Sequence, residues 1–326
     1  MNKPRVGFLG TGWIGRHRMA AMLDDGAIEA VAIADPSSEM VAEAQSLAPE
    51  TVVVASLAEM LALQPDGVVI ATPSALHAAQ SIEALSAGAA VFCQKPLGRD
   101  ASEVGAVVAA ARAADRLLAV DLSYRFTSGM TKIREIVAAG DLGPVHTVDL
   151  VFHNAYGPDK PWFYDRAQSG GGCVMDLGVH LVDLALWVLG FPEVSSVTSH
   201  LTAGGAPVAP DQVEDFAVAT ITLAGGTVVR LACSWRAHAG RDADISATFY
   251  GRDGGAGMRN VDGSFYDFVA ERYRGTATER LATPPEQWGG RAGVDWARRL
   301  ARGERFDPAA AGLVAVATLL DRIYAG

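Results

Sequence analysis

Five short apolar runs alternate with stretches of helical spacing over the first 122 residues. Val6–Leu9, Ala30–Ala34, Gly67–Ala71, Ala89–Cys93 and Leu117–Leu122 are almost continuously apolar. That is the pattern of strands covered on both faces. Between them, Trp13–Leu23, Ser38–Leu47, Leu57–Leu63, Ala75–Ala87 and Ala101–Ala114 carry apolar residues at helical period. Strand–helix alternation of this kind predicts a doubly wound parallel sheet over residues 1–122. The period changes beyond Leu122. Gly129–Ala139 reads as a helix and Gly140–Pro144 as a turn. Val145–His153, Val194–Thr202, Asp215–Leu223, Thr227–Trp235 and Ile245–Gly251 then alternate as half-buried strands, with a hairpin signal at Leu223–Thr227. Asp176–Leu189 and Ala309–Tyr324 read as helices. Residues 123–326 are therefore expected to form an α+β domain with an open, mostly antiparallel sheet, giving an α/β protein of two domains.

The join between the first two strands carries the strongest chemical signal. Gly10, Thr11, Gly12, Trp13, Ile14 and Gly15 spell G-x-G-x-x-G between a strand and a helix, and the second strand ends on Asp35. Each part suits a dinucleotide. Gly10 permits a tight turn, Gly12 lets the backbone approach a pyrophosphate, and Gly15 lets helix and strand close up. The helix N-terminus offers amides and a positive dipole end to the phosphates. Asp35 can accept from both adenosine ribose hydroxyls, and its charge would repel a 2′-phosphate, so NAD is expected over NADP. The simpler role for Asp35 is a cap on the next helix. Should a 2′-phosphate be held after all, Arg16 and Arg18 are the cations within reach along the chain.

Bulk properties narrow the partners. A formal net charge of −10 over 326 residues argues against nucleic acid, which demands a basic surface. Cys93, Cys173 and Cys233 are odd in number and without zinc spacing, which suits reduced thiols in a cytoplasmic protein. No apolar run is expected to span a membrane. With only Met1 to Pro4 before the first apolar run, no signal peptide is expected.

Three further places can carry chemistry. Thr72-Pro73-Ser74 with His77 follows a strand at the carboxyl edge of the sheet, where ligands sit in such folds; a plain strand–helix connection is the alternative. Gln94-Lys95-Pro96 follows the next strand, and a lysine there can stabilise a developing alkoxide, although most lysines are simply exposed. Asp176, His180 and Asp183 share one helical face. His180 has the side chain suited to take an alcohol proton, with a carboxylate to orient it; a capping Asp176 with a satisfied histidine is the alternative. No third ligand lies beside Asp176 and His180, so no metal is expected. Trp162, Tyr164 and Trp235 are aromatic surfaces on which a pyranose could stack, or core residues.

Together these segments, GLGTGWIG, ATPSALH, QKP and GGGCVMDLGVHLVD, resemble the Gfo/Idh/MocA oxidoreductases along nearly the whole chain. The resemblance implies a Rossmann domain followed by an open-sheet domain. It implies catalytic roles for Lys95, Asp176 and His180. It places Thr72, Pro73, His77 and Gln94 with Lys95 beside the nicotinamide ribose. It assigns Arg125, His153 and Asp183 to the substrate, and Tyr164, as an aromatic surface for a pyranose, is expected to join them. One departure stands out: Gln94 occupies the place of the family's usual Glu before Lys95. The activity implied is hydride transfer between a sugar or polyol hydroxyl, inositol- or aldose-like, and NAD. Alternatives are an NADP-dependent sugar reductase, an NAD-using glycoside hydrolase, and a non-enzymatic cofactor-sensing regulator. A homodimer or homotetramer through the C-terminal sheet is expected, with no membrane partner.

Overall fold

The computed structural model describes residues 3–326 and divides them into two compact units. The first is the chain up to Ser123 together with Gly289–Val314; the second is Tyr124–Trp288 with Ala315–Gly326. Met1 and Asn2, part of the leader reading above, lie outside the described residues.

Unit one holds a six-stranded parallel sheet in the order β3-β2-β1-β4-β5-β6. Its strands are β1 Arg5–Leu9, β2 Glu29–Ala34, β3 Val52–Val53, β4 Gly67–Ile70, β5 Ala90–Cys93 and β6 Leu118–Val120. They alternate with α1 Trp13–Asp25, α2 Ser38–Leu47, α3 Leu57–Ala62, α4 Ser74–Ser86 and α5 Ala101–Ala114. β4 and β5 are buried at every position, the reason their sequences show no alternation. Local caps set the helix starts: Ser37, Ser56 and Asp100 accept the amides of Met40, Glu59 and Glu103. The strand order reverses between β1 and β4, which are hydrogen-bonded neighbours. The loops after β1, β4 and β5 therefore share one sheet edge, at the point where such sheets bind ligands.

Unit two contains a nine-stranded sheet in the order β15-β14-β13-β12-β7-β11-β10-β8-β9. The strands are β7 Val145–Asn154, β8 Val194–Ala203, β9 Ala206–Pro207, β10 Phe216–Leu223, β11 Val228–Ser234, β12 Ala243–Gly251, β13 Gly255–Asn260, β14 Phe268–Arg274 and β15 Ala277–Ala282. The β7–β11 pair is parallel and the others antiparallel. Val148, Leu150 and Phe152 of β7 point into a core shared with α6 Ser128–Ala138 and α8 Val179–Val188. The intervening Asp149 pairs with Arg230 of β11 on the opposite face. A short helix α7, Arg166–Ser169, precedes the glycines that lead to α8.

Three features differ from the sequence expectation. β13, β14 and β15 extend the sheet past Gly251, where glycines and alternating charges mask the strand pattern. α9, Arg291–Ala301, belongs to unit one rather than to the C-terminal domain. Its Trp296 is fully buried against Phe92, and its Arg298 donates to Asp25. The second unit is thus not the continuous span 123–326; the chain returns to unit one before α10, Ala311–Ala325. Finally, Arg166–Val188 and Pro308–Ala325 are long and apolar enough to cross a membrane by length and composition. That corrects the expectation that no segment reaches this length. The most apolar window of the first is 83% buried, as a core helix is.

Candidate active site

In unit one the glycine loop has the geometry of a phosphate cradle. Gly10 has φ +84°, and a side chain there would meet the backbone of Ala71 and Thr72. A methyl on Gly15 would overlap the Gly10 carbonyl, whereas one on Gly12 would meet nothing within 4 Å. The chain is therefore closed on both sides of the loop and open at Gly12, where a pyrophosphate would approach. Gly12 caps α1 without a side chain, leaving that helix end to a ligand. Trp13 stands 53% exposed at the first helical position and packs at a tilt against His17. Ile14 follows it, half-buried. Asp35 accepts from the amides of Thr11 at 2.7 Å and Ser37 at 2.9 Å, so its carboxylate is fixed at the end of β2.

The cations near this loop are already engaged. Arg16 pairs with Glu43 at 2.5 Å. Arg18 is buried, donating to Asp121 at 2.6 Å and to Ser123, which corrects the idea that it could reach a 2′-phosphate. Gln94 enters the same network, its amide donating to Asp121 at 2.6 Å. Between Ala89 and Gly98 every residue is buried except Lys95. The strand end thus exposes one group of chemical interest.

His77 does a different task from the one expected of a cofactor ligand. Its ring is 1% exposed. Nδ1 lies 2.6 Å from the Pro96 carbonyl and Nε2 2.7 Å from the Thr72 carbonyl. It therefore stands between the loop carrying Lys95 and the loop carrying Thr72 and Pro73; the neutral ring, with one N–H, donates to one of the two carbonyls. Burial lowers its pKa, outweighing the two carbonyls, and the Lys95 charge adds to the lowering. Thr72 is fixed in turn by its hydroxyl on Gln80.

Unit two brings Asp176 and His180 together. A π-helical turn over Val174–Gly178 runs into α8, and such turns recur at functional sites. From Gly171 to Leu186 only Asp176 and His180 are incompletely buried. Trp235 donates its indole N–H to Asp176 at 3.0 Å. The His180 ring packs edge-on against Tyr124, centroids 5.0 Å apart. Burial, with the Asp176 charge, holds the Tyr124 phenol well above its ordinary pKa.

The substrate residues expected beside them are placed otherwise. Asp183 is 1% exposed and receives Arg125 Nε at 2.7 Å; Arg125 also lies over Trp187 and Phe191. Burial raises the Asp183 pKa while Arg125 opposes the rise. His153 alternates with Phe152, so it faces away from the core, bonded to Ser234 and stacked on Phe216. Burial lowers its pKa, with Asp244 opposing. Tyr164 is exposed, packs on Trp235 and donates to Pro158. Trp235 is a buried residue that orients Asp176. Asn154 was not anticipated. It follows Phe152 by two, on the same face, and its Oδ1 is buried without a hydrogen-bond partner. The signal for it was the strand period.

Comparison with known proteins gives concordant results. Residues 4–122 match the model of an oxidoreductase family with an NAD-binding Rossmann fold, and residues 130–256 match the GFO/IDH/MocA C-terminal domain. The chain is 30% identical over 322 residues to a putative UDP-kanosamine synthase oxidoreductase subunit of Amycolatopsis mediterranei, covering 91% of this chain and 86% of that one. It is 30% identical over 211 residues to the D-glucoside 3-dehydrogenase of Escherichia coli, spanning 61% of this chain and 60% of that enzyme. GenD2 from gentamicin A biosynthesis, solved with NAD, superposes with a TM-score of 0.83 at 25% identity, covering 100% of this chain and 94% of that one.

Proposed function

The chain is a member of the Gfo/Idh/MocA oxidoreductase family, and from that premise we propose that it transfers a hydride between a ring hydroxyl of a sugar or polyol and NAD. The observation that carries this reading is the selective exposure in each unit. Within Ala89–Gly98 only Lys95 is half-buried rather than buried, and within Gly171–Leu186 only Asp176 and His180 are. Alcohol oxidation needs a hydride acceptor and a proton acceptor. Bound nicotinamide would supply the first. His180 supplies the second, its imidazole accepting the hydroxyl proton, while Asp176, itself aimed by Trp235, holds the hydroxyl and the base in register. Lys95 stabilises the alkoxide charge that develops as the proton leaves.

NAD is favoured over NADP because the Asp35 carboxylate is fixed by two amides and Arg16 is neutralised by Glu43. The relatives named above act on, or are named for, glucosides and nucleotide-linked sugars. The substrate is accordingly read as a sugar ring whose anomeric position carries a substituent, oxidised at a secondary hydroxyl. The test is a panel of polyols, free aldoses and alkyl or nitrophenyl glucosides with NAD and NADP, followed at the absorbance of the reduced nicotinamide. Turnover confined to glucosides fits the finer reading. Turnover of none of the panel with either cofactor would refute the reaction itself. The outward face of the unit-two sheet exposes Phe216, Val218 and Tyr250, and a second copy of this chain is read as its cover, to be checked by sedimentation.

A further inference from the structure

The segment that carries Asp176 and His180 begins without a local cap. Cys173 precedes the π-helical turn and offers no side-chain hydrogen bond to it. The free amides of a helix start must still be satisfied when buried. Here two remote residues satisfy them. The Glu214 carboxylate accepts from Gly172 N–H at 3.0 Å and from Val174 N–H at 2.8 Å. The Glu214 backbone carbonyl accepts from Cys173 N–H at 3.0 Å. Tyr324, from the last helix, donates its hydroxyl to Glu214 at 2.8 Å and accepts from Met175 N–H at 3.1 Å. The next amide, Asp176 N–H, makes the first bond within the segment, to Gly172 at 3.0 Å. Four successive amides are thus closed by one carboxylate, its own carbonyl and one phenol.

The same clamp accounts for the glycines before it. A methyl on Gly171 would overlap the Tyr324 hydroxyl, and one on Gly172 would overlap the Glu214 carbonyl. It also reaches the far side of Asp176. The carbonyl of Asp215, adjacent to Glu214, accepts from Trp235 N–H at 2.7 Å, and Trp235 donates its indole to Asp176. One dipeptide, Glu214-Asp215, therefore fixes both the start of the segment and the donor that aims its carboxylate.

We propose that Glu214 and Tyr324 are positioning residues for the acid–base pair, setting the register of Asp176 against Trp235 from a point remote in sequence. The proposal rests on the reading of Asp176 and His180 as that pair. Glu214 is 2% exposed, and every partner of its carboxylate is a donor. Its Oε1 alone takes Gly172, Val174 and Tyr324, so an amide could keep all three on its oxygen. Glu214→Met keeps the length of the side chain and removes every acceptor. Tyr324→Phe keeps the ring and loses both hydroxyl bonds.

The experiment reads Asp176 independently of turnover. The indole N–H resonance of Trp235, assigned by its loss in Trp235→Phe, reports the bond to Asp176. Trp13 and Trp296, in the other unit, serve as references. In Glu214→Met and in Tyr324→Phe the Trp235 resonance is expected to shift while the references stay. kcat for the best sugar of the panel should fall about ten- to a hundredfold, the scale for misplacing a catalytic group by a fraction of an ångström to an ångström. NADH affinity should hold within about threefold, since cofactor binding belongs to unit one. If the Trp235 resonance and kcat both remain as in wild type, the clamp does not position Asp176. If Tyr324→Phe moves every indole resonance together, the contact is a general folding element and the positioning role is overturned. If wild type turns over no sugar yet the Trp235 resonance shifts, the clamp stands and the reaction falls instead.

Discussion

Gln94→Glu is a one-atom change that this structure makes costly. The Gln94 amide donates to Asp121 at 2.6 Å, Arg18 donates to the same oxygen at 2.6 Å, and Ser123 donates to the other at 2.6 Å. Gln94, Asp121 and Arg18 are all buried. One guanidinium therefore balances one carboxylate, and the amide completes the set. A second carboxyl at position 94 would sit at hydrogen-bond distance from the first, where the pair must hold a proton to avoid close repulsion. The unfolded chain releases that proton near pH 4.3, so retaining it at pH 7.5 costs about 1.4 kcal/mol for each of about 3.2 pH units, or about 4 kcal/mol. At pH 5 the same reasoning gives about 1 kcal/mol. The sign follows: above about pH 4.3 the folded variant binds more protons than the unfolded chain, so its stability falls as pH rises.

For a unit of this size the loss corresponds to a melting temperature lower by about 10 °C at pH 7.5 and by about 3 °C at pH 5. Thermal unfolding of wild type and variant at both pH values measures it. The double change Gln94→Glu/Asp121→Asn restores one carboxylate and one amide beside Arg18 and should recover most of the loss at pH 7.5. A variant within 1 °C of wild type at both pH values would mean that Arg18 can bridge two carboxylates, and the one-to-one accounting would be wrong. That outcome would also remove the explanation offered here for glutamine in place of the family's glutamate.

The remaining tests address the cofactor and the chemistry. Lys95→Ala should lower kcat at least about a hundredfold with NADH binding nearly intact; near wild-type turnover would move alkoxide stabilisation elsewhere. Calorimetric titration should show NADH bound more tightly than NADPH, with the gap narrowing in Asp35→Ala; equal affinities in wild type would remove the Asp35 argument. His180→Ala should lose roughly a hundred- to ten-thousandfold in activity; near wild-type turnover would move the proton acceptor elsewhere. His77 has its pKa lowered by burial, so the unfolded chain takes up a proton near pH 6.5 that the folded ring resists. The stability advantage of wild type over His77→Gln should therefore be larger at pH 8 than at pH 5.5, and a gap independent of pH would contradict a buried, proton-resisting ring.

What the sequence made legible depends on how local the determinant is. The parallel sheet, the glycine loop and the helix bearing His180 are written in short periods and adjacent residues, and they stand where those periods place them. Asp176 and His180 share a face because they stand four positions apart. Lys95 is half-buried where its neighbours are buried because a buried strand ends just before it. Pairings across long separations left no such mark. Arg125 and Asp183 read as substrate contacts, and nothing in the sequence marks the bond they make with each other, 58 residues apart. His153 read as a site residue because its strand was right, but the strand period turns it to the face opposite Phe152. The same period, followed one step further, would have found Asn154.

The glycines before Asp176 show most clearly why such readings stop where they do. Gly170, Gly171 and Gly172 look like a flexible approach to a helix, and flexibility is the usual inference from three glycines in a row. Only Gly170 adopts a left-handed conformation, φ +85°. Gly171 and Gly172 are glycines because other chain segments occupy the space their side chains would fill, Tyr324 in one case and Glu214 in the other. Those segments lie 153 and 42 residues away, counted from 171 to 324 and from 172 to 214. The stretch is thus among the most constrained in unit two: its amides are fully engaged, its neighbours are in contact, and its outlet is the one carboxylate that Trp235 aims. A residue type chosen for freedom elsewhere is chosen here for closeness, and the precision this gives to Asp176 is what proton transfer at a fixed hydroxyl requires.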